Sequence, residues 1–238
     1  MGLWIGQLCT GIPLPFPALS GVLKWLKFVV GLLLLPLCAG AVPTLAKVVR
    51  ACGGATEVWV PLGAGAACWL AIFTLLPKPM WVYVVGHELT HVVWSWLFGG
   101  KVKKFRASAS GGEVIVTKSN FLVALAPYFF PLYAVMLVLI FWVGHLVWDW
   151  ARWATLFNLL LGAAYAFHVT LTWEILKTRQ SDITGQGYLF SGVIIFLGNV
   201  LVLLLGIPLL TGQGRLLTVL GWWLEATAAL LKRLSSLL

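Results

Sequence analysis

Residues 84–100 read "VVGHELTHVVWSWLFGG", an apolar run interrupted by His87, Glu88 and His91. Valine, tryptophan, leucine and phenylalanine at this density suit hydrocarbon, where an unpaired imidazole or carboxylate is costly. The three polar side chains therefore need a common reason to be there. On a helix of about 3.6 residues per turn, His87 and His91 share one face, and Glu88 lies about 100° round from His87. This is the HExxH pattern: two imidazoles one turn apart bind zinc, and the adjacent glutamate takes a proton from water that the metal activates. A His–Glu contact within a helix bundle needs no second histidine one turn on. A metal accounts for all three residues at once.

The rest of the chain sets that stretch in a membrane. Of 238 residues, 61% are hydrophobic and only 10% charged, and the mean hydropathy is +0.99. A soluble domain needs more polar surface, so the composition predicts an all-α polytopic membrane protein. At about 20 residues per crossing, six transmembrane helices are expected, at 22–42, 57–77, 80–98, 119–147, 153–176 and 188–211. Pro127 and Pro131 should break or tilt the fourth. Residues 215–238 read as an amphipathic helix lying on the membrane, punctuated by Arg215, Glu225, Lys232 and Arg233. No repeat or linker divides the chain, so one membrane-embedded domain is expected over 1–238, with its core at 80–205.

The net charge of +9 does not indicate nucleic acid, because lysine and arginine cluster near span ends, where headgroups account for them. Loops after the first, third and fifth spans hold Lys47, Arg50, Lys101, Lys103, Lys104, Arg106, Lys118, Lys177 and Arg179; the other side has Lys24, Lys27, Lys78, Arg152 and Arg215. This bias places the odd-numbered loops in the cytoplasm. Cys9, Cys38, Cys52 and Cys68 form no CxxC pair or disulfide framework and read as small packing residues. The start, "MGLWIGQLCTG", shows no cleaved targeting segment, and Gly6 stands where a myristoylation signal wants Ser or Thr. "GIPLPFPALSG" reads as an extended lead-in.

Zinc in a hydrolase usually takes three protein ligands, so a third must come from elsewhere. His145 and Asp149, in "GHLVWDWARW", read as headgroup-level anchors, and Glu225 belongs to the surface helix. The stretch "AFHVTLTWEILKTRQSDITGQG" remains, with His168, Glu174 and Asp182, of which His168 and Asp182 are weighed by depth. Counting back from the ends of their spans, His91 and His168 both lie about 10–12 Å deep at 1.5 Å per residue, which favours His168. Asp182 would have to dip inward on an irregular segment, which Gly185 and Gly187 permit. Counting leaves both open. Asn120, Asn158 and Asn199 lie near or inside spans, Asn199 as a packing group that could hydrogen-bond across the bundle, and Tyr128 and Tyr133 flank the proline break, where they could line a cavity or polarise a carbonyl.

After the third span, Lys101–Ala109 and Glu113–Thr117 flank the turn-permissive "SGG", with Val102, Phe105, Val114, Ile115 and Val116 giving β-compatible content. An exposed strand edge there could hold a membrane substrate extended by β-augmentation, freeing a carbonyl that a helix would hide. Phe105, Gly111, Gly112 and Val114 are the candidate contacts.

HExxH in the third span, then "WLFGGKVKKFRASASGGEVIV", then an aspartate before a late span, resembles the site-2 protease family of intramembrane zinc metalloproteases over roughly residues 80–205. The resemblance implies His87 and His91 as zinc ligands, Glu88 as the base and Asp182 of "SDITGQG" as the third ligand. His168 then becomes an outer-sphere group or an alternative ligand. Two departures stand out: glycine follows Asp182 only at Gly185, and "LAPYFFPLYA" replaces a Gly-Pro followed by asparagine. The expectation is a zinc-dependent endopeptidase acting on a membrane protein or peptide, in a bacterial cytoplasmic membrane, with its site nearer the cytoplasmic face. Rival expectations are a non-catalytic metal-binding scaffold and an ion or proton relay through His87, Glu88, His91 and His168.

Overall fold

The computed structural model describes residues 4–5 and 17–237. Expectations resting on Gly6, Cys9 and "GIPLPF" lie outside the described residues, and Pro17–Gly21 of the expected extended lead-in instead open the first long helix. In chain order the elements are β1 (Trp4–Ile5), α1 (Pro17–Ala51), α2 (Thr56–Leu75), α3 (Met80–Leu97), β2 (Val102–Ser108), β3 (Gly111–Val116), α4 (Phe121–Leu125), α5 (Leu132–Trp148), α6 (Ala154–Leu176), α7 (Ser181–Gln186), α8 (Tyr188–Thr211) and α9 (Leu216–Ser235). They fall into two compact units: Met1–Gly11 with Thr56–Asp182, and Ile12–Ala55 with Ile183–Leu238.

Four described helical stretches are long and apolar enough to cross a bilayer: 21–51, 56–75, 150–176 and 188–211. The α4 and α5 segments, bent by 84°, make a fifth if taken as one broken span. The chain is therefore a largely helical, multi-pass membrane protein. Of the six stretches expected, α3 is the one outside this count; His87, Glu88, Thr90, His91 and Ser95 lower its apolar character.

In the first unit, α6 is the reference helix. Lys78, just before α3, pairs with Glu174 near the end of α6 at 2.9 Å, and the Tyr83 and Thr172 hydroxyls lie 3.3 Å apart. Hence α3 runs antiparallel to α6. Phe141 stacks on Phe157 with centroids 4.2 Å apart, and Tyr133 meets Phe167 edge-on, so α5 is antiparallel to α6 as well. Two helices expected as successive opposite crossings thus run in the same direction. The chain achieves this by folding the hairpin back along α3 before α4 begins. The expected topology is corrected accordingly: the ends of α3 and α6 lie at opposite ends of this unit, and the loops that follow them do not share a face.

The α3 helix stops at "FGG" in a Schellman arrangement. Gly99 takes a φ of +71°, its N–H donates to Trp96 O at 2.8 Å, and the Gly100 N–H donates to Ser95 O at 2.8 Å. Ser95 Oγ then donates to Lys118 O at 2.8 Å, tying the far end of the hairpin to the helix. Val92 packs with Val114 and Val116 to seal the face between them. Antiparallel β2 and β3 pair from Val102–Val116 to Ser108–Gly111, and β1 adds in parallel to β3, with Trp4 opposite Gly111 and Ile5 opposite Gly112. The two glycines expected in the turn are therefore strand residues.

In the second unit, α1 packs on α8 and α9. Trp223 Nε1 donates to Leu37 O at 2.9 Å, and Lys47 lies over the Trp222 ring at 4.2 Å. The terminal helix is seated on α1, with Glu225 exposed. Asn199 donates to Ile195 O one turn back. Among the described residues Cys38, Cys52 and Cys68 form no disulfide, and Cys52 Sγ donates to Gln213 O at 3.0 Å.

The α2–α6 contact depends on close backbone approach, as helix pairs in lipid commonly do. A Cβ on Gly65 would strike the Leu159 carbonyl, and one on Gly162 would strike the Leu62 carbonyl. Gly162→Leu should destabilise the protein by about 1–3 kcal/mol or more, read as a lower melting temperature in detergent. Gly63→Ala, with open space at its Cβ, should leave that temperature unchanged.

Candidate metal centre

Three donors meet in the first unit. One ligand atom each from His87, His91 and Asp182 lies within 4.8 Å of the others, all three residues being buried; among the described residues this is the one such cluster. Both Nε2 atoms sit 3.5 Å from Asp182 Oδ2, and the two imidazole rings are edge-on at 5.0 Å. Neither Nε2 has a hydrogen-bond partner, nor does Asp182 Oδ1. Buried polar atoms left in this way cost about 1–3 kcal/mol each, and charged ones more. A cation satisfies them together. Two imidazole nitrogens and a carboxylate oxygen form a donor set that suits zinc among other divalent ions, so the cluster could hold a metal ion.

Asp182 arrives in the first turn of the short α7, an ordered helix rather than the irregular dip expected. Tyr128, fully buried, donates its hydroxyl to Asp182 Oδ2 at 3.1 Å and sets its ring edge-on to His87 at 5.1 Å. It fixes the oxygen that faces both histidines.

His91 is oriented by the proline break. Its Nδ1 lies 2.7 Å from Val123 O. A carbonyl only accepts, so Nδ1 carries the proton and the Nε2 lone pair is left for a metal. Val123 O is available because an α-turn would engage it with the amide of residue 127, and Pro127 has no N–H. Asn120 caps α4 by accepting from Val123 N at 2.9 Å, so both backbone groups of Val123 are committed.

Glu88 is fully buried, and neither carboxylate oxygen has a partner. Its neighbour is Gly112: a Cβ there would come within 2.5 Å of Glu88 Cγ and 2.6 Å of Oε1. Only a glycine lets the β3 backbone lie this close to the carboxylate. Of the other hairpin candidates, Phe105 is exposed, while Val114 is buried in the face that packs on α3 and serves as an anchor.

His168 is buried on α6 but does not join the three-donor cluster. The depth count paired it with His91; with α3 antiparallel to α6 it is instead level with His87, and the two border one cavity. His145 and Asp149 are exposed at the end of α5. Asn158 donates to Glu57 O at 3.4 Å, and Tyr133 donates to Val82 O at 2.6 Å. The Val123 carbonyl is the functional group that residue-type reasoning missed; its signal was a proline four residues downstream. No protein-family model matches the chain, and neither curated proteins nor solved structures yield a match.

Elemental analysis of detergent-purified, chelator-free protein should find about one divalent ion per chain. His87→Ala or Asp182→Ala should lose it, and His145→Ala should keep it. Pro127→Ala, which supplies a competing N–H for Val123 O, should weaken metal binding roughly tenfold, measured by chelator competition.

Proposed function

We propose that the chain is an intramembrane zinc endopeptidase of the site-2 protease type, cleaving a peptide bond of a membrane-spanning or membrane-associated protein. The observation that carries this reading is Glu88: a buried carboxylate without a partner, adjoining the three-donor cluster on one side and the strand glycine Gly112 on the other. A structural metal site needs no such group, and it normally closes with four protein ligands. Here three donors converge and His168 stays outside them.

In this reading His87, His91 and Asp182 hold the ion. Zinc, when bound, supplies Lewis acidity that acidifies water and polarises a carbonyl. Glu88 accepts the proton of the attacking water on its carboxylate and delivers it to the leaving amine nitrogen. Tyr128 keeps Asp182 Oδ2 turned toward the histidines.

A substrate reaches Glu88 as an extended strand. The outer edge of β3 at Gly111 and Gly112 already accepts strand pairing, from the backbone of Trp4–Ile5, and a substrate segment would take that place. Water enters beside the hairpin, where Lys103, Lys104 and Arg106 of β2 are exposed. Charged side chains along this strand need hydration and line the polar path. In this reading the basic strand turns the hairpin end of the unit toward the cytoplasm.

Glu88→Gln tests the mechanism, because it preserves shape and removes the base. It should keep the metal and lose at least about 100-fold in cleavage of fluorogenic membrane-anchored peptides. Cleavage by metal-loaded Glu88→Gln at the wild-type rate would overturn the assignment.

A further inference from the structure

The two histidines of the metal cluster differ in what holds their outer nitrogens. His91 Nδ1 is fixed by the Val123 carbonyl. His87 Nδ1 is buried and has no hydrogen-bond partner. A ligating imidazole ordinarily donates this N–H to a carboxylate, a carbonyl or a water, which sets its tautomer and ring angle. Something must do the same for His87.

A second buried nitrogen has the complementary need. His168 is 7% exposed, and its Nε2 is also without a partner. Both residues border one cavity of about 20 Å³, shared with Tyr83, Gly86, Thr90 and Tyr133. That is room for a single water, which needs polar partners to reside in a buried site. The walls are built to keep the space. Gly86 admits the Tyr133 ring, which a Cβ would meet at 2.6 Å, and Tyr133 is held by its bond to Val82 O. Tyr83 is held by its contact with Thr172.

We propose that His168 is a positioning residue for the metal site, acting on His87 through one water in this cavity. The water accepts from His87 Nδ1–H and donates to His168 Nε2, so the His87 Nε2 lone pair faces Asp182 and the ion. The inference rests on the reading of His87 as a metal ligand. It gives the fourth histidine a role that neither ligation nor a proton relay requires. It also divides the support of the site between two elements: backbone carbonyl from α4 for His91, water and imidazole from α6 for His87.

The test uses full-length protein in detergent and measures zinc affinity by chelator competition, with the visible spectrum of the cobalt form as a second readout. His168→Leu should weaken metal binding by about 10–100-fold and shift the cobalt spectrum, while His168→Gln, which keeps an acceptor, should recover most of both. In zinc-loaded wild-type protein, ¹⁵N spectra of labelled histidine should show His87 protonated at Nδ1 and His168 unprotonated at Nε2, a measurement that needs no variant to fold. Wild-type affinity and spectrum in His168→Leu, or a proton on His168 Nε2, would overturn the inference and leave the metal site standing. A wild-type protein that binds no metal would instead overturn the underlying reading.

Discussion

The constraint on which this part of the fold depends is the cost of holding two imidazoles, two carboxylates and no countercharge at the centre of an apolar unit. His87, Glu88, His91 and Asp182 are all nearly or fully buried. Their facing atoms do not satisfy one another at hydrogen-bond distance; both imidazole–carboxylate separations are 3.5 Å. A protein selecting for stability alone would replace such groups with packed hydrocarbon. Their convergence makes sense if an ion completes the set, because one divalent charge satisfies three donors and leaves Glu88 free beside it.

The surrounding structure reads as a series of backbone devices that set these side chains at one depth. The Schellman stop at Gly99 reverses the chain, and the Ser95–Lys118 bond brings the hairpin back along α3. The valine face of β3 fixes its height. As a result Gly112, not a bulkier residue, comes to lie against Glu88. The hairpin is a structural wall of the site as well as a strand edge, which is why Val114 points inward and the basic side chains of β2 point out. Packing of this kind locks the Glu88 rotamer, as the proton-accepting role proposed for it requires.

Much of this was legible in the sequence, and what was not has identifiable physical causes. The "HELTH" stretch gave the two imidazoles and the glutamate directly, since helical spacing alone puts His87 and His91 on one face. Asp182 could be preferred to His168 only through the family resemblance, because nothing local says that a residue 91 positions after His91 returns to it. The hairpin was visible as β-compatible content, but its two glycines looked like turn residues. Their role in β3 comes from a tertiary approach to Glu88 that strand propensity does not report. Helix direction failed for a related reason. Hydropathy counts apolar length, and a hairpin that climbs back along a helix consumes no apolar length while changing where the next segment starts.

The same failure explains why the broken fourth segment exists. A continuous helix through residues 119–147 would engage every interior carbonyl, leaving none at mid-depth to orient a ligand. Pro127 removes one amide, Val123 O is released, and His91 Nδ1 takes it at 2.7 Å. Tyr128, the next residue, is then positioned to reach Asp182. One proline thus supplies an acceptor for one member of the three-donor cluster and aims a donor at another. In hydrocarbon, where no solvent competes, a released carbonyl must find a donor within the protein. That requirement makes the release of Val123 O and the orientation of His91 two consequences of a single missing N–H, while Pro131 stands at the bend where α5 begins.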